Sequence, residues 1–291
     1  MNRTMRRFRR RRERRRRKGG VDLQSCGAGS GRHVAVFGLG LIGTSLALEL
    51  RSAGWRVSGY DARAAHARQA AQRGALDAVL QAPEGRFDAI VLAAPPQANI
   101  ALLSAPAQAD LWLDTGSVKA EIVRRARAAG LPFVGGHPLA GTEGGGPTAA
   151  RMGLFAGRGF ALCAAGGPRT LAQEIALAVG ANPLWLDAEE HDRQVARSSH
   201  LVYAFSCALA TLLDGTPREL VGPAAREMLR VATSPTGLWS EILEMNGPAV
   251  QEAVREAARA LTSIASGDAQ LLEAARAAAQ ALREDGAADG G

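Results

Sequence analysis

Cysteine is scarce in this chain. Cys26, Cys163 and Cys207 are the only three in 291 residues, an odd number without the spacing of a metal site. Such usage excludes a disulfide framework and points to reduced thiols in a cytoplasmic protein. Long apolar runs are missing too. No segment offers roughly 18 uninterrupted apolar residues, so no membrane span is expected. The first residues lack the apolar core of a secretory signal, and no internal repeat is visible.

Positive charge is also scarce once the first residues are set aside. The chain carries +7, but residues 1–18 hold eleven Arg, one Lys and one Glu, which is +11, so the remainder stands at −4. A mildly acidic body gives no support for nucleic-acid binding. The basic block could attract polyanions, yet it runs into the Gly/Ser-rich stretch 19–31, a linker composition. Residues 1–31 are therefore expected to be a disordered leader and linker. With 47% hydrophobic residues, the rest can build two domains with cores of their own.

What is present has a clear order. Apolar runs at 33–38, 56–60, 89–93, 111–114, 132–135, 159–164 and 182–186 alternate with Ala/Arg-rich helical stretches. That alternation predicts a parallel α/β sheet, whose later strands may be antiparallel at an edge. After Asp187 the character changes. Asp187-Ala188-Glu189-Glu190 resembles a capping box, and the helical spacing that follows is broken at 215–217, 222–223, 234–237 and 247–248. The expected division is an α/β dinucleotide-binding unit over 32–187, an all-helical unit over 188–284 and a frayed tail over 285–291.

Gly38-Leu39-Gly40-Leu41-Ile42-Gly43 follows the first apolar run and opens a helix over 44–51. This is the context in which a glycine-rich turn admits a pyrophosphate at a helix N-terminus. Asp61 closes the next strand at the expected distance of ~20 residues, where a carboxylate accepts the ribose 2′-hydroxyl of NAD and repels the 2′-phosphate of NADP. Arg63 could soften that repulsion, so NAD is expected with NADP as the lesser possibility.

Two further strand ends carry proton-handling side chains. Leu113-Asp114-Thr115-Gly116-Ser117-Val118-Lys119 and Gly135-Gly136-His137-Pro138 each read as an apolar strand breaking into a turn. Carboxyl ends of parallel strands face the ligand crevice, so Ser117 and His137 are expected to converge there. Ser117 also suits the N-cap of a helix over 118–129, and Lys119 reads as a solvated helix residue or a screen for an anion. An imidazole is the natural acceptor for a hydroxyl proton. His200 reads equally as a supporting or a core histidine. Arg226 and Arg230 share a helix face, and an arginine fork facing the crevice would suit a carboxylate. Trp239 reads as a core or interface aromatic.

Taken together, GLGLIGTSLA, DTGSVK, GGHPLAGTEGGG, HDxxVAxxSHL (191–201) and RVATSPTGLW (230–239) resemble the prephenate/arogenate dehydrogenase family of tyrosine biosynthesis. The resemblance implies a Rossmann-type NAD-binding domain followed by a helical dimerisation domain in a homodimer. It further implies an oxidative decarboxylation with His137 as catalytic base and Ser117 as its partner at the ring hydroxyl. Arg230 would hold a substrate carboxylate, Thr142 and Glu143 would line the pocket, and Trp239 would reach a neighbouring site. Tyr203 stands where many members have a second histidine near the substrate side chain, which leaves prephenate against arogenate open. The chain also ends without the ~100-residue regulatory domain some relatives append. The rival readings are a β-hydroxyacid dehydrogenase or imine reductase of the same plan, and a non-catalytic NAD-sensing regulator that uses the basic leader.

Overall fold

The computed structural model describes residues 31–141 and 144–287. Most of the expected leader, with Cys26, lies outside the described residues, as do Thr142, Glu143 and residues 288–291. The described residues form one compact unit.

Eight strands make one sheet: β1 (His33–Phe37), β2 (Arg56–Tyr60), β3 (Ala78–Val79), β4 (Gly85–Leu92), β5 (Ala107–Asp114), β6 (Phe133–Pro138), β7 (Gly159–Ala165) and β8 (Asn182–Trp185). Their order is β3-β2-β1-β4-β5-β6-β7-β8, and every neighbouring pair is parallel except β6 with β7. The chain walks outward from β1 to β3 and returns to β4 on the other side. Such a reversal opens a crevice at the carboxyl ends of β1 and β4.

Alternation along the strands feeds two layers. Val34, Val36, Val91 and Leu113 face one core, covered by α1 (Leu41–Ser52), α2 (Ala64–Gln72) and α5 (Arg169–Ala178). Ala35, Phe37, Ile90 and Trp112 face the other, covered by α3 (Pro96–Leu102) and α4 (Ala120–Ala128). The seven apolar runs all become strands, with two differences. β4 and β5 each begin four residues before their apolar run, because only their second halves are continuously buried while backbone pairing carries the first. β3 has two residues, too few for any periodicity.

Asp187 caps α6 (Ala188–Val195), its carboxylate accepting from the Glu189 and Glu190 amides. A π-helical turn, Ala196–His200, then leads into α7 (Leu201–Leu212). The chain continues through α8 (Pro223–Ala232), α9 (Thr236–Met245), α10 (Gly247–Ala265) and α11 (Ala269–Ala287). Four breaks lie where the Gly/Pro stretches put them, a fifth at 266–268 was not expected, and the last helix runs beyond the expected end at 284. Among the described residues no helix is long and apolar enough to cross a membrane.

Candidate active site

The glycines after β1 do three different jobs. Gly38 has φ +98°, and a Cβ there would stand 2.5 Å from the Ala93 carbonyl carbon. A Cβ at Gly43 would stand 1.9 Å from the Gly38 oxygen, so α1 packs against the strand end only because that atom is missing. At Gly40 nothing lies within 4 Å of the Cβ position, leaving the backbone open to the crevice. No side chain caps α1 at Gly40, so its first-turn amides are left for an anion. Asp61 stands beside this cradle, accepting from the Leu39 amide at 2.7 Å and the Arg63 amide at 2.8 Å. An open glycine, uncapped amides and a carboxylate at the next strand end fit a dinucleotide. His66 brings Nδ1 to 3.4 Å from the Asp61 carboxylate.

A carboxylate absent from the sequence expectations, Asp114, ties the other two strand ends together. It is buried at the end of β5 and accepts from the Gly116 amide at 2.8 Å, the Gly136 amide at 3.1 Å and the Lys119 ammonium. Lys119 donates in turn to the Gly136 carbonyl at 2.6 Å. The turn before Ser117 and the residue before His137 are therefore held by one ion pair. Lys119 is not a solvated helix residue: it is 0% exposed, its stem running under Gly135 to reach the carboxylate. Burial pushes the Asp114 carboxyl up, against the pull of Lys119 and the two amides. Ser117 is not the N-cap of α4 either. That place belongs to Lys119, whose amide and that of Ala120 are both capped, at 2.8 Å, by Asp192 from α6. A carboxylate from another element has taken the capping role, and Ser117 stands half-buried beyond the end of β5.

His137 is partly buried at the end of β6. Its Nδ1 lies 2.9 Å from Nε2 of His191, and Nδ1 of His191 lies 2.8 Å from the Asp192 carboxylate. Burial, then His191, Lys119 and His200, hold the His137 imidazole well below 6.5, so it is neutral at neutral pH and able to take a proton. His200 differs. The Asn246 amide nitrogen donates to the Asp192 backbone carbonyl at 2.8 Å and to His200 Nδ1 at 3.1 Å. Because a carbonyl can only accept, the Asn246 amide is oriented, His200 Nδ1 is an acceptor, and its proton sits on Nε2. His200 is thus a hydrogen-bond donor and not a base; that Nε2 is buried without a partner. Tyr203 is buried and stacks flat on Trp239 at 4.0 Å between ring centres, with His200 edge-on to Trp239 at 5.9 Å. Trp239 therefore closes on its own chain's His200 and Tyr203.

Arg226 and Arg230 meet different partners. Arg226 caps the Arg218 and Val221 carbonyls of the preceding loop. Arg230, at the last turn of α8, leaves 47% of its side chain exposed and grips Glu227 one turn back. The shared helix face is real, but neighbouring carbonyls and a carboxylate compete for each guanidinium.

His200 makes the fold acid-sensitive. Burial lowers its imidazole from 6.5 to about 4, against the pull of Asp192. The unfolded chain therefore binds this proton first. Stability is complete above pH 6.5 and is lost as pH falls towards 4, by about 3 kcal/mol for this group. Urea unfolding at pH 7 and 4.5 should show that loss, and His200→Gln should flatten it. An unchanged pH slope in that variant would place the sensitivity elsewhere.

Fold and site together define a dinucleotide-binding protein of two parts, with a helical unit contributing to the site of the first. The prephenate dehydrogenase nucleotide-binding domain matches residues 46–180, and the prephenate dehydrogenase dimerization domain matches residues 187–274. The chain belongs to the prephenate dehydrogenase family. It is 33% identical to a probable prephenate dehydrogenase of Streptomyces niveus over 56% of this chain and 50% of that protein. It is 31% identical to the cyclohexadienyl dehydrogenase of Zymomonas mobilis over 55% of this chain and 60% of that protein. The chain thus matches about half of one of these relatives and three-fifths of the other. The prephenate dehydrogenase of A. aeolicus, solved with hydroxyphenyl propionate and NAD+, superposes with a TM-score of 0.77 at 24% identity, covering 89% of this chain and 99% of that one.

Proposed function

We propose that this chain is an NAD-dependent cyclohexadienyl dehydrogenase, acting on prephenate, arogenate or both in a cytoplasmic homodimer. The observation that carries this reading is the Asp114–Lys119 pair, which holds the Ser117 turn and the His137 strand end together beside the open cradle at Gly40. Residues 32–187 are read as the cofactor unit and 188–284 as the helical unit. The dimer reading is supported by apolar side chains that the helical unit leaves exposed, among them Phe205, Leu212, Leu261 and Leu272.

When bound, the nicotinamide supplies the hydride acceptor. Gly38, Gly40, Leu41, Ile42 and Gly43 seat the pyrophosphate, and Asp61, with Arg63 beside it, meets the adenosine ribose. The neutral imidazole of His137 takes the ring hydroxyl proton while Ser117 holds that oxygen in place. The C4 hydrogen leaves with its electron pair. The C1–carboxylate bond then breaks, its electrons pass through the ring to the carbonyl oxygen, which takes the proton back from His137, and a phenol and CO₂ result. Arg230 is read as exchanging Glu227 for a substrate carboxylate, with Thr142 and Glu143 lining the pocket. His200 offers its unpaired N–H, and the Tyr203–Trp239 stack forms an aromatic wall in place of a second histidine.

Absorbance of the reduced nicotinamide, with each cyclohexadienyl acid and each cofactor in turn, tests the reading. Turnover with neither acid would overturn it. Asp61→Ser in the same assay removes the carboxylate that repels a 2′-phosphate, so relative use of NADP should rise. A wild type that already uses NADP as well as NAD would show Asp61 to have another role.

A further inference from the structure

His191 and Asp192 are almost wholly buried, yet they belong to a helix that follows the sheet. Both carboxylate oxygens of Asp192 are in use. Oδ1 accepts the Lys119 amide and faces His191 Nδ1, each at 2.8 Å, and Oδ2 accepts the Ala120 amide at 2.8 Å. An acceptor holding two amide hydrogen bonds cannot present a proton to His191 without giving up its charge. The proton between them therefore resides on His191 Nδ1. In the neutral ring this makes His191 Nε2 a lone-pair acceptor. His137 Nδ1, 2.9 Å away, must then be the donor. The remaining nitrogen of His137, Nε2, is left bare.

We propose that His191 and Asp192 are positioning residues that set the tautomer of His137, so that Nε2 meets the substrate as a lone pair rather than as an N–H. The proposal rests on the reading of His137 as the base. Without the relay the imidazole could carry its proton on either nitrogen, and the wrong choice would present a donor where an acceptor is needed. As His137 takes up a proton at Nε2, its Nδ1–H leans on His191, and the new charge is answered by Asp192 at the far end of the chain. The same carboxylate caps the helix that begins just after Ser117. One side chain from the helical unit thus sets the register of Ser117 and the protonation pattern of His137. A structural aspartate serving only as a cap would not need a histidine between itself and the β6 terminus.

The test is a long-range ¹H–¹⁵N spectrum of imidazole-labelled protein, which reports the protonated nitrogen of each ring. The chain has five histidines, so single substitutions assign every signal. In the wild type, His137 should be protonated at Nδ1 and bare at Nε2, with His191 protonated at Nδ1 alone. His191→Phe should move His137 towards the other tautomer and lower kcat by roughly tenfold to a hundredfold, with both KM values within about twofold. His191→Gln keeps an acceptor for His137 Nδ1 and should restore much of the loss. Wild-type His137 protonated at Nε2, or full kcat in His191→Phe, overturns the proposal. Substitution of His33, His66 or His200 assigns the other three signals and leaves the His137–His191 pair intact for the wild-type reading. Turnover retained in His137→Asn would overturn the base reading itself, so the two failures are separable.

Discussion

Replacing His137 with Asn should leave NAD and substrate binding near normal and lower kcat by at least about a hundredfold. The reaction cannot deliver hydride from a carbon whose hydroxyl keeps its proton, and asparagine at neutral pH cannot accept one. The effect belongs to the transition state, so kcat and kcat/KM should fall together. The electrostatics of the site sharpen the expectation. Burial and three neighbouring cationic or ionisable groups hold His137 well below 6.5. The wild-type rate should therefore be level through neutral pH and decline only on the acid side, as the base becomes protonated. That acid limb should be missing from whatever activity His137→Asn retains. Wild-type turnover in the variant would sink the mechanism. His200 would be a poor substitute base, because its Nδ1 is occupied by Asn246 and its Nε2 carries the proton.

The second large effect concerns stability. Lys119→Met keeps most of the stem's volume and removes the ammonium that neutralises Asp114 inside the sheet. Breaking one side of a buried ion pair typically costs about 3–5 kcal/mol, because the surviving charge is left uncompensated. Here two amides still reach the carboxylate, so the lower end of that range is expected. The loss should depend on pH in a definite direction. Burial raises the Asp114 carboxyl above its unfolded value, and without Lys119 it rises further. The folded variant then binds a proton that the unfolded chain releases, so its deficit should shrink in acid and grow as pH rises. Urea midpoints at constant m would read this. Pairing Lys119→Met with Asp114→Asn removes the orphaned charge and should recover part of the loss. A Lys119→Met protein as stable as wild type at neutral pH would mean that the pair is open to water.

Most of the scaffold could be read from residue order. Strand cores are continuous apolar runs because both faces of the sheet are covered, and all but one of the breaks between the later helices fall at Gly/Pro stretches whose backbone preferences act locally. The cradle was legible as a spaced set of glycines with Asp61 one strand away, although only Gly43 answers a near neighbour, and the approach of Ala93 that Gly38 admits comes from the end of β4. The exposed halves of β4 and β5 and the two-residue β3 were not legible, since pairing with a neighbour makes them strands and composition does not.

The site itself divides along the same line. That Ser117 and His137 stand at the ends of neighbouring strands could be read from sequence, because a strand end followed by a glycine-rich turn positions its own residues. What those side chains are bonded to was decided elsewhere. Asp114 looked like the last residue of an apolar run and Lys119 like a surface lysine, yet they form the buried pair that joins two strand ends. The N-cap of α4 comes from 72 residues away rather than from Ser117. Arg226 and Arg230 share a helix face, but loop carbonyls and Glu227 decide where each points. Local backbone preferences and apolar periodicity are properties of consecutive residues, so the chain alone determined the layers, the glycine cradle and which residues end the strands. Tautomers, buried charges and caps depend on which distant groups share a desolvated space, and only the folded chain brings Asp192, His191 and His137 into line.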